Sequence, residues 1–160
     1  MIRLDLIPQP ASAESFKPFG IYIEPGKAAP TFSSPSFDWY ENVVTLDINT
    51  PEVGFVKVAS VDCVQKQLER HVKTPEVMIA TKSELYVTLA DNDAQTPEDF
   101  AAFILSPGSI TIINPGIWHL APKSKTVDAG AIIMYKPETG TNDKEIIDLS
   151  DRGLDVTIKW

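Results

Sequence analysis

Both histidines of this chain lie in short segments that could bind a metal. The 160 residues include two histidines, His71 and His119. Glu69 precedes His71 by two positions, and because side chains alternate along a β-strand, these two point to the same face. His119 follows a Pro-Gly turn at 115–116. A carboxylate and two imidazoles that converge inside a barrel form a nitrogen and oxygen ligand set for a divalent transition metal.

Glu76 is a fourth candidate ligand. It follows Thr74 and Pro75, a pair that forces an extended or turn conformation. We therefore expect the next strand to return beside the first and to bring Glu76 near His71. The predicted cluster is Glu69, His71, Glu76 and His119, whose hard ligands suit Ni, Mn, Zn or Fe. A structural role for hydrogen-bonded histidines remains the alternative.

The elements that must position this cluster are predicted to be strands. Thirteen prolines and eight glycines fall mostly between short apolar runs, which favours a sandwich or barrel. Short helical turns are expected at 12–16, 96–102 and 142–149. The segment 25–35 is expected to be a loop, either a functional lid or a plain surface loop. The Asp-Asn-Asp run at 91–93 is expected to form a solvated hairpin tip. The predicted strands are 2–6, 20–24, 43–48, 55–59, 66–71, 76–81, 85–89, 100–105, 109–113, 129–135 and 156–160.

Composition limits the classes of protein that fit. The length predicts a single domain, 1–160, with a sizeable core. The net charge of −8 argues against nucleic-acid binding, which needs clustered Lys and Arg. One cysteine, Cys63, excludes an internal disulfide, and no apolar stretch is typical of a signal or a membrane span. We expect a cytoplasmic protein without membrane contact.

Two motifs carry a resemblance to known families. The pattern of Glu69, His71 and Glu76 followed by the 115–119 segment resembles the paired motifs of the cupin superfamily. More narrowly, Leu-Glu-Arg-His at 68–71 and Gly-Ile-Trp-His at 116–119 are similar to the ureidoglycolate lyase family, formerly called ureidoglycolate hydrolases. The segments 100–104 and 16–20 also match, so the resemblance extends over most of the chain.

This resemblance implies a fold and an activity. The fold would be all-β, a cupin-type double-stranded β-helix or jelly-roll barrel with few short helices, assembled as a homodimer. The activity would be the cleavage of ureidoglycolate to glyoxylate and urea in purine and allantoin catabolism. A divalent metal would serve as cofactor, and the substrate would be a small anionic hydroxy acid.

The same residues suggest a mechanism. A hydroxy acid that chelates a metal has a lowered hydroxyl pKa, and a nearby carboxylate can accept the proton. Glu76 or Glu69, whichever is not tightly bound to the metal, is the candidate base. Lys57 is the preferred electrostatic partner for an anionic substrate because it lies in an apolar strand, although a solvated side chain on the outer face fits equally well.

Other functions fit the predicted fold. They are another metal-dependent cupin enzyme, such as a sugar isomerase or an oxygenase, and a non-catalytic cupin that binds a small molecule. Arg70 and Trp118 alternate with the site residues, so we expect an exterior salt bridge for the former and packing for the latter. Tyr135 is expected to be a packing residue that could reach the cavity.

Overall fold

Short strands dominate the computed structural model, which describes residues 1–91 and 93–160. Asn92, part of the predicted turn at 91–93, lies outside the described residues. Within the described residues, helical structure is limited to α1 (Thr139–Asn142) and two 3-10 turns, Pro97–Asp99 and Leu149–Arg152. The strands are β1 (Ile2–Leu6), β2 (Gln9–Pro10), β3 (Gly20–Ile23), β4 (Phe32–Ser33), β5 (Asp38–Trp39), β6 (Glu52–Lys57), β7 (Val64–Gln65), β8 (Gln67–Arg70), β9 (Glu76–Ala80), β10 (Leu85–Ala90), β11 (Phe100–Leu105), β12 (Ile110–Ile113), β13 (Trp118–His119), β14 (Gly130–Tyr135), β15 (Glu145–Asp148) and β16 (Leu154–Ile158).

Two large sheets form the barrel. One has the strand order β15-β8-β13-β10-β11-β2 and the other β3-β12-β9-β14-β6. From β8 to β15 the chain passes repeatedly from one sheet to the other, which produces a double-stranded β-helix. Strands hold 42% of the described residues and helices 7%, so the prediction of an all-β fold with a double-stranded β-helix and few short helices is confirmed.

The core between the sheets is built from the inward side of each strand. Leu89 and Phe103 come from the first sheet and Met78 and Ile133 from the second. Phe16, in the predicted turn before β3, is fully buried, with its ring centre 5.1 Å from that of Phe103. These contacts fix the spacing between the two sheets and hence the position of every side chain that points inward.

A third, smaller sheet covers the outer face of the first. Its strand order is β1-β16-β7, with β1 parallel to β16. Leu154 and Val156 of β16 pack with Leu68 and Trp118 in a second apolar cluster. Because both faces of the six-stranded sheet are covered, Trp118 has an apolar environment on the side opposite His119, as predicted.

Several predicted boundaries are wrong. No strand occurs at 43–48, β6 begins at Glu52, and a short β4-β5 hairpin interrupts the predicted loop at 25–35. Residues 145–148 form β15 instead of a helical turn, because they pair with β8 along four residues. Such pairing comes from tertiary contacts, which override weak local preferences. None of the helices in the described ranges is long and apolar enough to cross a membrane.

Candidate functional site

The two motifs meet on adjacent strands of the six-stranded sheet. Glu69 of β8 lies directly opposite His119 of β13 in an antiparallel pair, so the two side chains share a face. His71 follows β8, and its carbonyl oxygen accepts a hydrogen bond of 2.7 Å from the Gly116 backbone N–H. Gly116 has a φ of 88°, a left-handed conformation that favours glycine in this turn. The second motif thus holds the backbone of the first.

Glu76 reaches the cluster from the opposite sheet. The expectation that its strand returns beside β8 is wrong, because β9 pairs with β12 and β14. The chain crosses between the sheets after Thr74 and Pro75, so Glu76 faces the histidines across the barrel. Its Oε2 lies 3.5 Å from His71 Nε2 and 3.4 Å from His119 Nε2. The structure thereby brings Glu69, His71, Glu76 and His119 together.

Backbone carbonyls set the tautomer of both imidazoles. His71 Nδ1 donates to the Asp143 carbonyl oxygen at 2.6 Å, and His119 Nδ1 donates to the Ile117 carbonyl oxygen at 2.9 Å. A carbonyl oxygen only accepts, so each Nδ1 carries a hydrogen and each Nε2 of a neutral ring presents a lone pair. Within the described chain, the buried Nε2 of His119 has no hydrogen-bond partner. Its contact of 3.4 Å with Glu76 is longer than a charge-assisted hydrogen bond.

This arrangement fits a divalent metal ion. Glu69, His71 and His119 offer ligand atoms that lie within 4.8 Å of one another. Two ligand atoms at about 2.1 Å from one ion lie roughly 3 to 3.5 Å apart, and the contacts of Glu76 with both imidazoles match that separation. Metal-binding histidines commonly donate the other ring N–H to a carbonyl, as both do here. The unpartnered Nε2 of His119 is the clearest sign that the residues suit an ion.

Without a metal, the carboxylate and the imidazoles stabilise one another's charged forms. Burial alone raises the pKa of Glu76, but His119 and His71 more than offset it and lower that pKa to about 2. Burial alone lowers the pKa of both histidines, whereas the Glu76 carboxylate raises it above the usual value of 6.5. Each Nδ1 contact with a carbonyl acts in the same direction. The site therefore binds positive charge, either as protons or as a metal ion.

A cavity of about 200 Å³ opens beside the cluster. Glu69, Glu76 and Tyr135 supply its polar lining. Burial, followed by the nearby Glu76, raises the pKa of Tyr135, which keeps its phenol protonated. Tyr135 therefore offers an O–H donor where sequence reasoning expected packing. The remaining lining residues are Gly54, Phe55, Val56, Met78, Ala121, Pro122 and Ile133.

The structure does not bring Lys57 to this cavity. Its Nζ forms an ion pair of 2.6 Å with Asp128, and both side chains are exposed. Gly54, Phe55 and Val56 of the same edge strand line the cavity, whereas Lys57 is not among the lining residues. Its position matches the solvated alternative, because an apolar strand at a sheet edge still presents one face to solvent.

Two further residues at the site had no signal in the sequence. Lys144 Nζ lies 3.9 Å from Glu69 Oε2, and Asp143 holds the turn after His71. Both come from a segment that local patterns assign to a helical turn. Arg70 points outward, as predicted, and pairs with Asp93 and Glu145.

Comparisons with solved structures give distant similarities. No family model and no curated protein matches the chain. A 3,4-ketoisomerase from Thermoanaerobacterium thermosaccharolyticum, solved with TDP-4-keto-6-deoxyglucose, is 13% identical over 79% of this chain and 83% of that one, with a TM-score of 0.48. A dTDP sugar isomerase from Desulfovibrio desulfuricans is 17% identical over 78% and 77%, with a TM-score of 0.43. Peruvianin-I, a cysteine peptidase from Thevetia peruviana latex, is 17% identical over 86% and 80%, with a TM-score of 0.43. These distant similarities assign neither an activity nor a ligand to this chain.

Proposed function

We propose that the chain is a metal-dependent cupin enzyme that transfers a proton on a small hydroxy-carbonyl compound, in the manner of a sugar isomerase. The observation that carries this proposal is the pair of buried imidazoles with their Nδ1 atoms tied to carbonyls. Their Nε2 atoms both lie within 3.5 Å of Glu76, beside a cavity that Glu69 and Glu76 line. Glu76, whose Oε2 contacts the Nε2 atoms of both rings, would hold the ion together with His71 and His119, and Glu69 would stay free for the substrate. The chemistry that a bound divalent ion supplies at such a site is polarisation of a carbonyl or hydroxyl oxygen.

Different environments give the two glutamates different roles. The pKa of about 2 makes Glu76 a weak base and a good charge partner for a cation. Glu69 is partly exposed and lines the cavity, with Lys144 beside it. We therefore assign Glu69 as the base that takes a proton from the hydroxyl-bearing carbon next to a carbonyl and returns it to the former carbonyl carbon, while the hydroxyl proton passes to the former carbonyl oxygen. Tyr135 donates its O–H to a substrate oxygen.

The lining of the cavity limits the size of the substrate more than its charge. It contains two carboxylates and, among the residues that the structure describes there, neither lysine nor arginine. Lys144 lies 3.9 Å from Glu69 outside this lining, and a bound divalent ion would add two positive charges. These charges would balance the two carboxylates and let the site accept a neutral or an anionic substrate. The volume of about 200 Å³ lies below the range common for drug-sized ligands, which indicates a molecule of few atoms.

Ureidoglycolate cleavage is the second candidate. The 68–71 and 116–119 motifs that resemble the ureidoglycolate lyase family meet in the site, which supports this reading. The described cavity lining holds neither lysine nor arginine, so a bound metal ion would have to neutralise the carboxylate of an anionic hydroxy acid, with Lys144 nearby. The homodimer also stays a prediction, and the exposed Val53 and Phe55 on edge strand β6 give it a physical motive.

Deuterium exchange tests the proposal and its alternative together. Protein loaded separately with Ni, Mn, Zn or Fe is incubated in D₂O with neutral aldoses and ketoses, and deuterium next to the carbonyl is followed by NMR. Exchange that is lost in Glu69→Gln while the affinity for the metal stays unchanged supports the proposal. Release of glyoxylate from ureidoglycolate without sugar exchange would favour the second candidate. Neither reaction with any metal would contradict both, and binding without turnover would indicate a non-catalytic cupin.

A further inference from the structure

Asp143 connects a distant segment to the first motif. It follows α1 and lies 72 positions after His71, yet it is largely buried against the turn that carries that histidine. Its Oδ1 accepts the backbone N–H of Val72 at 3.0 Å, and its Oδ2 accepts the backbone N–H of Lys73 at 2.8 Å. Its carbonyl oxygen accepts the Nδ1–H of His71 at 2.6 Å. One residue thus contacts both the backbone and the ring.

The two imidazoles are held in different ways. His119 donates to the carbonyl of Ile117, only two residues away on the same segment. His71 donates to a carbonyl from another part of the chain, so its tautomer depends on how Asp143 is docked. The two carboxylate contacts provide that docking, because they fix the distance between residue 143 and the turn at 72–73.

We propose that Asp143 is a positioning residue that uses its carboxylate to hold its own carbonyl against His71 and thereby sets the orientation and tautomer of that ring. The link from ring orientation to metal binding rests on the proposed function. The effect on the tautomer does not, because it follows from the hydrogen bonds alone. Residues that orient metal ligands typically contribute about 10- to 100-fold to metal affinity.

Two substitutions at Asp143 separate its contacts. Asp143→Ala removes both acceptors, whereas Asp143→Asn keeps one acceptor and places an NH₂ group against the other N–H. We expect the Ni affinity to fall in the order wild type, Asn, Ala, with about a 10- to 100-fold loss for Ala. The matched control is Asp148→Ala. The Asp148 carboxylate accepts a hydrogen bond of 2.8 Å from the side chain of Gln67, just before the first motif, and has no contact with the turn at 72–73.

Nitrogen NMR of the apo-protein provides the direct readout. In the wild type, neutral His71 and His119 should both carry the hydrogen on Nδ1. In the Asp143 variants, His71 should become a mixture of tautomers while His119 remains unchanged, and Asp148→Ala should leave both unchanged. A role limited to stability would not move one histidine and spare the other.

The outcomes distinguish this inference from the proposed function. If the wild type binds no Ni but the tautomer of His71 changes as expected, the metal assignment fails and the positioning role stands. A folded Asp143→Ala or Asp143→Asn protein with the wild-type His71 tautomer would overturn the inference. If Asp143→Ala does not fold, the Asn variant alone decides between these results.

Discussion

Replacing Glu76 by glutamine tests the electrostatics of the site. Glu76 lies with 6% of its surface exposed between His71 and His119. The fall of its pKa from 4.5 to about 2 corresponds to roughly 3 kcal/mol of stabilisation of the folded state. This stabilisation is present above the unfolded pKa of 4.5 and is lost as the pH falls towards about 2. We therefore expect Glu76→Gln to cost up to about 3 kcal/mol in mildly acidic solution.

The histidines determine the other side of the pH profile. Their pKa values are raised above 6.5, so the stabilisation by protonated imidazoles is complete below 6.5 and is lost as the pH rises through the folded pKa values. The difference in unfolding free energy between the wild type and Glu76→Gln should consequently be largest between about pH 4.5 and 6.5 and smaller on both sides.

Urea unfolding in the presence of a chelator measures this difference. Three tryptophans provide the fluorescence signal, and the chelator removes any effect of metal on stability. Glu145→Gln is the control, because its carboxylate pairs with Arg70 at the surface and should be worth less than about 1 kcal/mol. A difference for Glu76→Gln that does not change with pH would refute the reasoning.

Three further predictions follow from individual contacts. Tyr135→Phe removes the phenol O–H from the cavity. We therefore expect turnover to fall by about 10²-fold or more and the Ni affinity to change little. Steady-state kinetics would measure the turnover, and a metal titration would measure the affinity. Lys57→Ala breaks only an exposed ion pair with Asp128. Turnover should therefore be unchanged, and the free energy of unfolding in urea should change by less than about 0.5 kcal/mol. A large loss of activity would show that Lys57 belongs to the site. Phe16→Ala opens a cavity beside Phe103 and should lower the free energy of unfolding by about 3 to 5 kcal/mol in the same urea assay. A decrease below about 1 kcal/mol would show that the surrounding core collapses into the cavity.

The first motif shows how far local pattern extends. The alternation of a strand was sufficient to place Glu69 and His71 on one face and Arg70 on the other. It was also sufficient to place Trp118 opposite His119. The outward directions of Arg70 and Trp118 agree with their contacts, because the Arg70 guanidinium lies 4.4 Å from the centre of the Trp118 ring and Trp118 packs in the second apolar cluster. These predictions succeeded because the direction of a side chain depends on the residue's own strand.

Glu76 shows where local reasoning fails. Its approach to His71 was expected from the turn at 74–75, but for the wrong reason, since its strand belongs to the opposite sheet. A turn determines where a strand ends, whereas the partner of the next strand depends on pairings with distant residues. Lys57 illustrates the same limit, because its apolar strand is an edge strand with one face in solvent.

The sequence by itself determined the all-β class, the directions of the side chains in each motif and the chemical types available to a site. Only the tertiary structure decided that Asp143 would hold His71, that Tyr135 would reach the cavity and that Glu76 would face the imidazoles from the other sheet. The physical reason is the range of the interactions. Alternation and turn propensity act over a few residues, whereas the contacts that set the tautomer, charge and volume of the site join segments that are far apart in the chain.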